Sequence, residues 1–199
     1  MRNPAARAVP IVVALGAGLV LGLAGPVAGK FDNTLCEALS VVFSGGWPWA
    51  CYAFVVGLLR RSRIESALLA ATGLAVGVMA YYGFKDLYPA VPVGLEAGTA
   101  GDGVSSRVFV WGTAAFIFGA PVGLAGNFAR TPGVGGLLLR LLIPLIAYIE
   151  TSQRLHTEAD ARDAIVGITW ATIRVAACLA GAFFVGQAAR NWWRGRQPT

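Results

Sequence analysis

The sequence predicts an all-α integral membrane bundle of about six transmembrane helices with both termini in the cytoplasm. Three observations carry this prediction. Of 199 residues, 56% are hydrophobic and 13% charged, about half the charged share of soluble domains. The charges cluster, leaving apolar runs close to the ~20 residues a helix needs to cross a bilayer. The basic residues also gather on alternate loops. Six such helices with short connections use up the whole length, so residues 1–199 read as one polytopic membrane domain.

Taken in order, the apolar runs place helices at about 9–28, 47–59, 64–84, 108–128, 134–149 and 164–188. Arg2 and Arg7 precede the first, and Pro26-Val27-Ala28 at its end also matches a signal-peptide cleavage site. The second is the shortest. Leu39 to Phe43 either extends it or forms an interfacial piece before Gly45-Gly46. Residues 93–104 are rich in Gly and acids and read as a mobile loop. Residues 151–163 read as a polar connection, with Thr157 and Asp160 at capping-box spacing.

The loops set the orientation. The N-terminus, the 2–3 and 4–5 loops and the C-terminus hold nine Lys or Arg and one acid, Glu65; the opposite loops hold five basic residues and nine of the ten acids. The positive-inside rule then puts both ends in the cytoplasm. Trp47, Trp49, Tyr81, Tyr82, Trp111 and Tyr148 fall near the outer helix ends, and Trp192 and Trp193 at the inner end, as an interfacial aromatic belt requires. The formal charge of +6 serves orientation, because the basic residues sit at helix ends and form no nucleic-acid-binding face. The lipid bilayer is the expected partner, with a homo-oligomer or another membrane protein as further candidates.

Cys36, Cys51 and Cys178 show no metal-site spacing. Cys36 and Cys51 fall on the outer side and either pair or stay free. His156 near Glu158 and Asp160 makes a poor metal site. No nucleophile elbow, phosphate loop or zinc-protease motif occurs. We therefore expect no enzyme activity, no cofactor, no metal and no catalytic residue.

Three charged residues are candidates for substrate binding: Arg174, Arg140 and Glu150. Arg174 lies about ten residues into the last helix, or roughly 15 Å deep. An arginine at that depth costs about 2.5–3.5 kcal/mol on insertion scales. It must serve either an anion or substrate, or act as an interhelical anchor. Arg140 can snorkel to the headgroups, and Pro144 four residues on frees its carbonyl. Glu150 ends the fifth helix and can pair with Arg154, should that helix continue, or with Lys85. Pro121 between Gly119 and Gly123 marks a kink or close approach. The small-residue pairs Gly18 and Gly22, Gly73 and Gly77, and Ala177 and Gly181 allow tight helix packing, within the chain or between copies.

Gly46-Trp47, Ala53-Phe54, Gly57, Arg60-Arg61, Tyr81-Tyr82-Gly83, the run Gly119 to Gly123 and Glu150 together resemble a family of small bacterial multi-pass membrane proteins. That family is known only as a domain of unknown function. The resemblance implies a helical protein of the bacterial inner membrane and supplies no activity or site. From the residues themselves, Arg174 and the mid-helix prolines suggest a small transporter or permease. The many small-residue pairs suggest instead an accessory protein that packs with a membrane partner.

Overall fold

The computed structural model describes residues 4–88, 103–158 and 164–194, and these are helical apart from short turns, without strands. The helices are α1 (Pro4–Ala28), α2 (Thr34–Ser44), α3 (Gly46–Leu59), α4 (Arg63–Leu87), α5 (Gly103–Phe128), α6 (Val134–Arg140), α7 (Leu142–Glu158) and α8 (Ala164–Arg194). Five spans are long and apolar enough to cross a membrane: Val9–Ala28, Arg63–Leu87, Ser106–Phe128, Val134–Thr157 and Ala164–Arg194. The pair α2 and α3, bent by 66°, makes a sixth when read as one broken span. The chain is thus a bundle of five to six membrane-compatible helices, as the sequence predicts.

One element decides between two alternatives the sequence leaves open, and one differs from the sequence reading. The apolar stretch before Gly45-Gly46 is a separate helix, α2, capped by Asn33, whose side chain accepts from the Cys36 amide at 2.9 Å. And α7 runs on to Glu158, through residues expected to form a polar connection. There Thr151 is fully buried and donates to the Ala147 carbonyl at 2.6 Å, and Thr157 donates to Gln153. Polar side chains that bond back onto their own helix do not end it. Asp160, the other half of the expected capping box, lies outside the described residues. So does most of the 93–104 loop, whose last two residues open α5. The helix expected over 134–149 is interrupted at Leu141, and Pro144 falls in the first turn of α7, where a missing N–H is tolerated.

Glycine crossings hold the core. A Cβ added at Gly18 would strike the Gly73 carbonyl, and one at Gly22 the Gly77 carbonyl, so α1 lies directly on α4. The pair Gly18 and Gly22 therefore meets the pair Gly73 and Gly77 within one chain. Likewise α5 lies on α3, where Gly57 faces the Gly123 carbonyl and Gly126 the Phe54 carbonyl, and on α4, where Gly119 faces Ala71. Pro121 points away from these contacts and is exposed. Ala14, Leu21, Ala53, Val56, Ala70, Leu74, Val78 and Ala115 fill the space between α1, α3, α4 and α5. Tyr52 crosses it and donates to the Ala14 carbonyl at 2.7 Å. Backbones this close gain dispersion contacts that lipid cannot replace.

A polar lock closes the end of the bundle that carries the α3–α4 turn, here called the basic end. The Arg60 backbone is extended, which frees its carbonyl. That carbonyl accepts from Asn127 Nδ2 at 2.6 Å and from the Arg130 guanidinium at 3.0 Å. Asn127 also reaches the buried Ser66 hydroxyl at 3.0 Å. At the other end, α2 turns sideways, so that Val41 packs on Val166 and the fully buried Trp170. This contact joins the α7–α8 hairpin to the core.

Candidate functional site at the broken helix

The 14 residues of α3 span only about 21 Å, against a hydrocarbon thickness of about 30 Å. With α3 ending at the basic end, it begins short of a full span. A helix start there exposes unsatisfied N–H groups, and Gly45 has no side chain to cap them. Glu150 of α7 supplies the acceptors. Its two carboxylate oxygens accept from the Gly46 amide at 2.8 Å and the Trp47 amide at 2.7 Å. The helix dipole favours an anion at this point. A Cβ at Gly45 would come within 3.1 Å of the Glu150 carboxylate, so glycine permits the approach.

Arg154, one turn further along α7, donates to Glu150 through Nε at 3.1 Å. Its guanidinium lies 4.9 Å from the centre of the Trp170 ring. The two side chains are 28% and 19% exposed, so the pair is mostly removed from solvent. The carboxylate is neutralised by the guanidinium and by two amides together, which satisfies a charge that hydrocarbon would otherwise expel.

Beside this elbow, α3 and α5 diverge above their glycine crossing, and α4 closes the back of the gap. The result is a crevice of about 510 Å³. Its walls are apolar and aromatic, with Trp49, Tyr81, Tyr82, Trp111 and Phe118 along it and Arg154 and Gly46 at its mouth. Trp49 and Tyr81 meet edge to face at 6.3 Å, and Tyr81 and Tyr82 at 5.1 Å. Lys85 lies over Tyr81 at 4.6 Å. From Trp111 to Val122, its deepest residue on α5, is about 17 Å along the helix. The crevice therefore reaches about halfway through the bundle and stops at the Gly57–Gly123 crossing.

The three sequence candidates do not converge. Glu150 sits at the elbow and holds Arg154 at the mouth of the crevice. Its partner is Arg154, as the continued helix allows, while Lys85 faces Tyr81. Arg140 donates through Nε to the Ala129 carbonyl at 2.9 Å, closing the end of α5. Arg174 lines neither this crevice nor the one between α1 and α3. It is half-buried on α8 and has no hydrogen bond or ion pair among the described residues. Cys178, one turn beyond it, is exposed, and all three cysteines are free. Sequence reasoning did not single out Arg154 or Asn127 as site residues. The available signal was the i,i+4 spacing of Glu150 and Arg154. Among the described residues no three His, Cys, Asp or Glu side chains are grouped to hold a metal ion.

No curated protein and no solved structure matches this chain. A family model does match, over α1 to α5 and the start of α6, so Glu150 and Arg154 on α7 lie beyond the matched part while most of the crevice wall lies within it. The chain belongs to a family of unknown function (DUF6518), whose model matches residues 1–136.

Proposed function

We propose that the chain is a small permease-like protein that binds an amphipathic organic molecule in the crevice between α3, α4 and α5. The molecule's apolar body rests on Trp49, Tyr81, Tyr82 and Trp111, and its polar group meets Arg154. The observation that carries this reading is an aromatic crevice reaching mid-bundle with a broken helix as one wall, because discontinuous helices commonly form the substrate sites of transporters. Under the orientation that the loop charges favour, the termini are cytoplasmic and the crevice opens to the outer side. Small ligands bind in mostly apolar concavities with a few placed polar groups, and this crevice has that composition.

The test is uptake by proteoliposomes of a panel of anionic, cationic and zwitterionic amphipathic fluorophores. Ala114 lines the crevice, and Ala114→Trp is expected to reduce uptake of any accepted fluorophore at least tenfold. Uptake equal to that of protein-free liposomes for the whole panel would end the reading.

A second reading, an accessory protein without a substrate, has its own observation. Most of α8 beyond Trp170 is exposed, including Leu179 at 67% and Phe183 at 63%, and Arg174, without an ion pair among the described residues, lies on the same helix. A photo-crosslinker at Leu179 in native membranes separates the two readings. The permease reading expects lipid adducts alone, whereas a discrete protein adduct would favour the accessory role.

A further inference from the structure

A second crevice, of about 340 Å³, runs between α1 and α3 on the membrane-facing side of the core. Val13 and Ala17 of α1 and Val55 and Leu59 of α3 line it and are themselves exposed, so it opens on the outer surface of the bundle. Trp47 lines one part and Arg60 another, thirteen residues apart along α3, or roughly 20 Å. The Arg60 guanidinium donates to the Pro10 carbonyl at 3.2 Å, but its Nε is buried and has no acceptor. A buried donor left unpaired costs about 1–3 kcal/mol, and in an apolar crevice no protein group relieves it. Arg61, Arg63 and Arg130 stand around the same turn with Glu65 as the single acid near it, which favours an anion over a zwitterion.

We infer that this crevice binds one anionic phospholipid, its phosphate at Arg60 and one acyl chain along α3. The lipid supplies what the site lacks: hydrocarbon for the walls and an anion for the Arg60 guanidinium. It also fills the gap between α1 and α3, which are joined mainly through α4. This site is separate from the aromatic crevice and does not depend on the permease reading.

Native mass spectrometry of the purified chain, titrated with phosphatidylglycerol or with phosphatidylcholine of the same chains, tests this. One phosphatidylglycerol should bind at least tenfold more tightly than phosphatidylcholine. Arg60→Gln should erase that preference. Ala17→Phe fills the crevice from the exposed face of α1, leaves Arg60 in place and should weaken both lipids about tenfold. Arg61→Gln, at an exposed residue outside the lining, should change little. The proposal is overturned if Arg60→Gln and Ala17→Phe both keep the parent's binding. A loss with Arg61→Gln as large as with Arg60→Gln would equally overturn it, since diffuse charge attraction would then suffice. Should Arg60→Gln fail to fold, parent-like binding by Ala17→Phe, or a loss of the phosphatidylglycerol preference with Arg61→Gln, overturns the proposal.

Discussion

Replacing Glu150 with alanine should destabilise the protein by about 3 kcal/mol, the scale of breaking a largely buried, hydrogen-bonded charge pair. Three interactions end together. The Gly46 and Trp47 amides lose their acceptors and Arg154 loses the Glu150 carboxylate. Glu150→Gln should cost about half as much, because the amide keeps one acceptor oxygen and loses the charge. Reversible unfolding in mixed micelles measures both. An alanine variant within ~0.5 kcal/mol of the parent would show that the elbow is held by packing alone.

The second large effect is expected at the glycine crossings, where one methyl group is enough. Gly57→Ala drives a Cβ into the Gly123 carbonyl, and Gly22→Ala drives one into the Gly77 carbonyl. Backbone cannot move aside as a side chain can, so each should cost about 3 kcal/mol or more, the upper end of overpacking penalties. Gly16→Ala is the matched control. It lies on the same helix as Gly22 with nothing within 4 Å of the added carbon. It should be neutral or gain up to ~1 kcal/mol from helix propensity. Thermal unfolding of the detergent-solubilised variants separates the two classes. If Gly16→Ala and Gly22→Ala behaved alike, close backbone approach would not be what holds α1 to α4.

These expectations also show how far the sequence could be read. Hydrophobic runs located the membrane-crossing helices because lipid demands the same apolar surface whatever the helices pack against. Small-residue spacing marked Gly18, Gly22, Gly73 and Gly77 as contact points, but spacing carries no address, and only the fold shows that these four meet. The Gly45-Gly46 pair signalled an interruption. What satisfies that interruption is Glu150, more than a hundred residues away, and no local pattern connects the two. The length of α7 was misread for a related reason. Its polar stretch looks like a loop until Glu150, Thr151 and Arg154 are seen to spend their polarity inside the protein. Arg174 was the opposite case. Its depth made it the most prominent candidate, yet it lines neither crevice.

The Glu150 contact bears on how the protein is made. Helices enter a membrane in the order of synthesis, so α3 is inserted before α7 exists. Throughout that interval the first amides of α3 lack their acceptor. The chain at that stage holds every residue of the glycine crossings but not the carboxylate of the elbow. Arrival of α7 closes the elbow with a single carboxylate and brings α8 against α2. A chain stalled before this point keeps the Gly46 and Trp47 amides without the carboxylate that caps them in the finished fold.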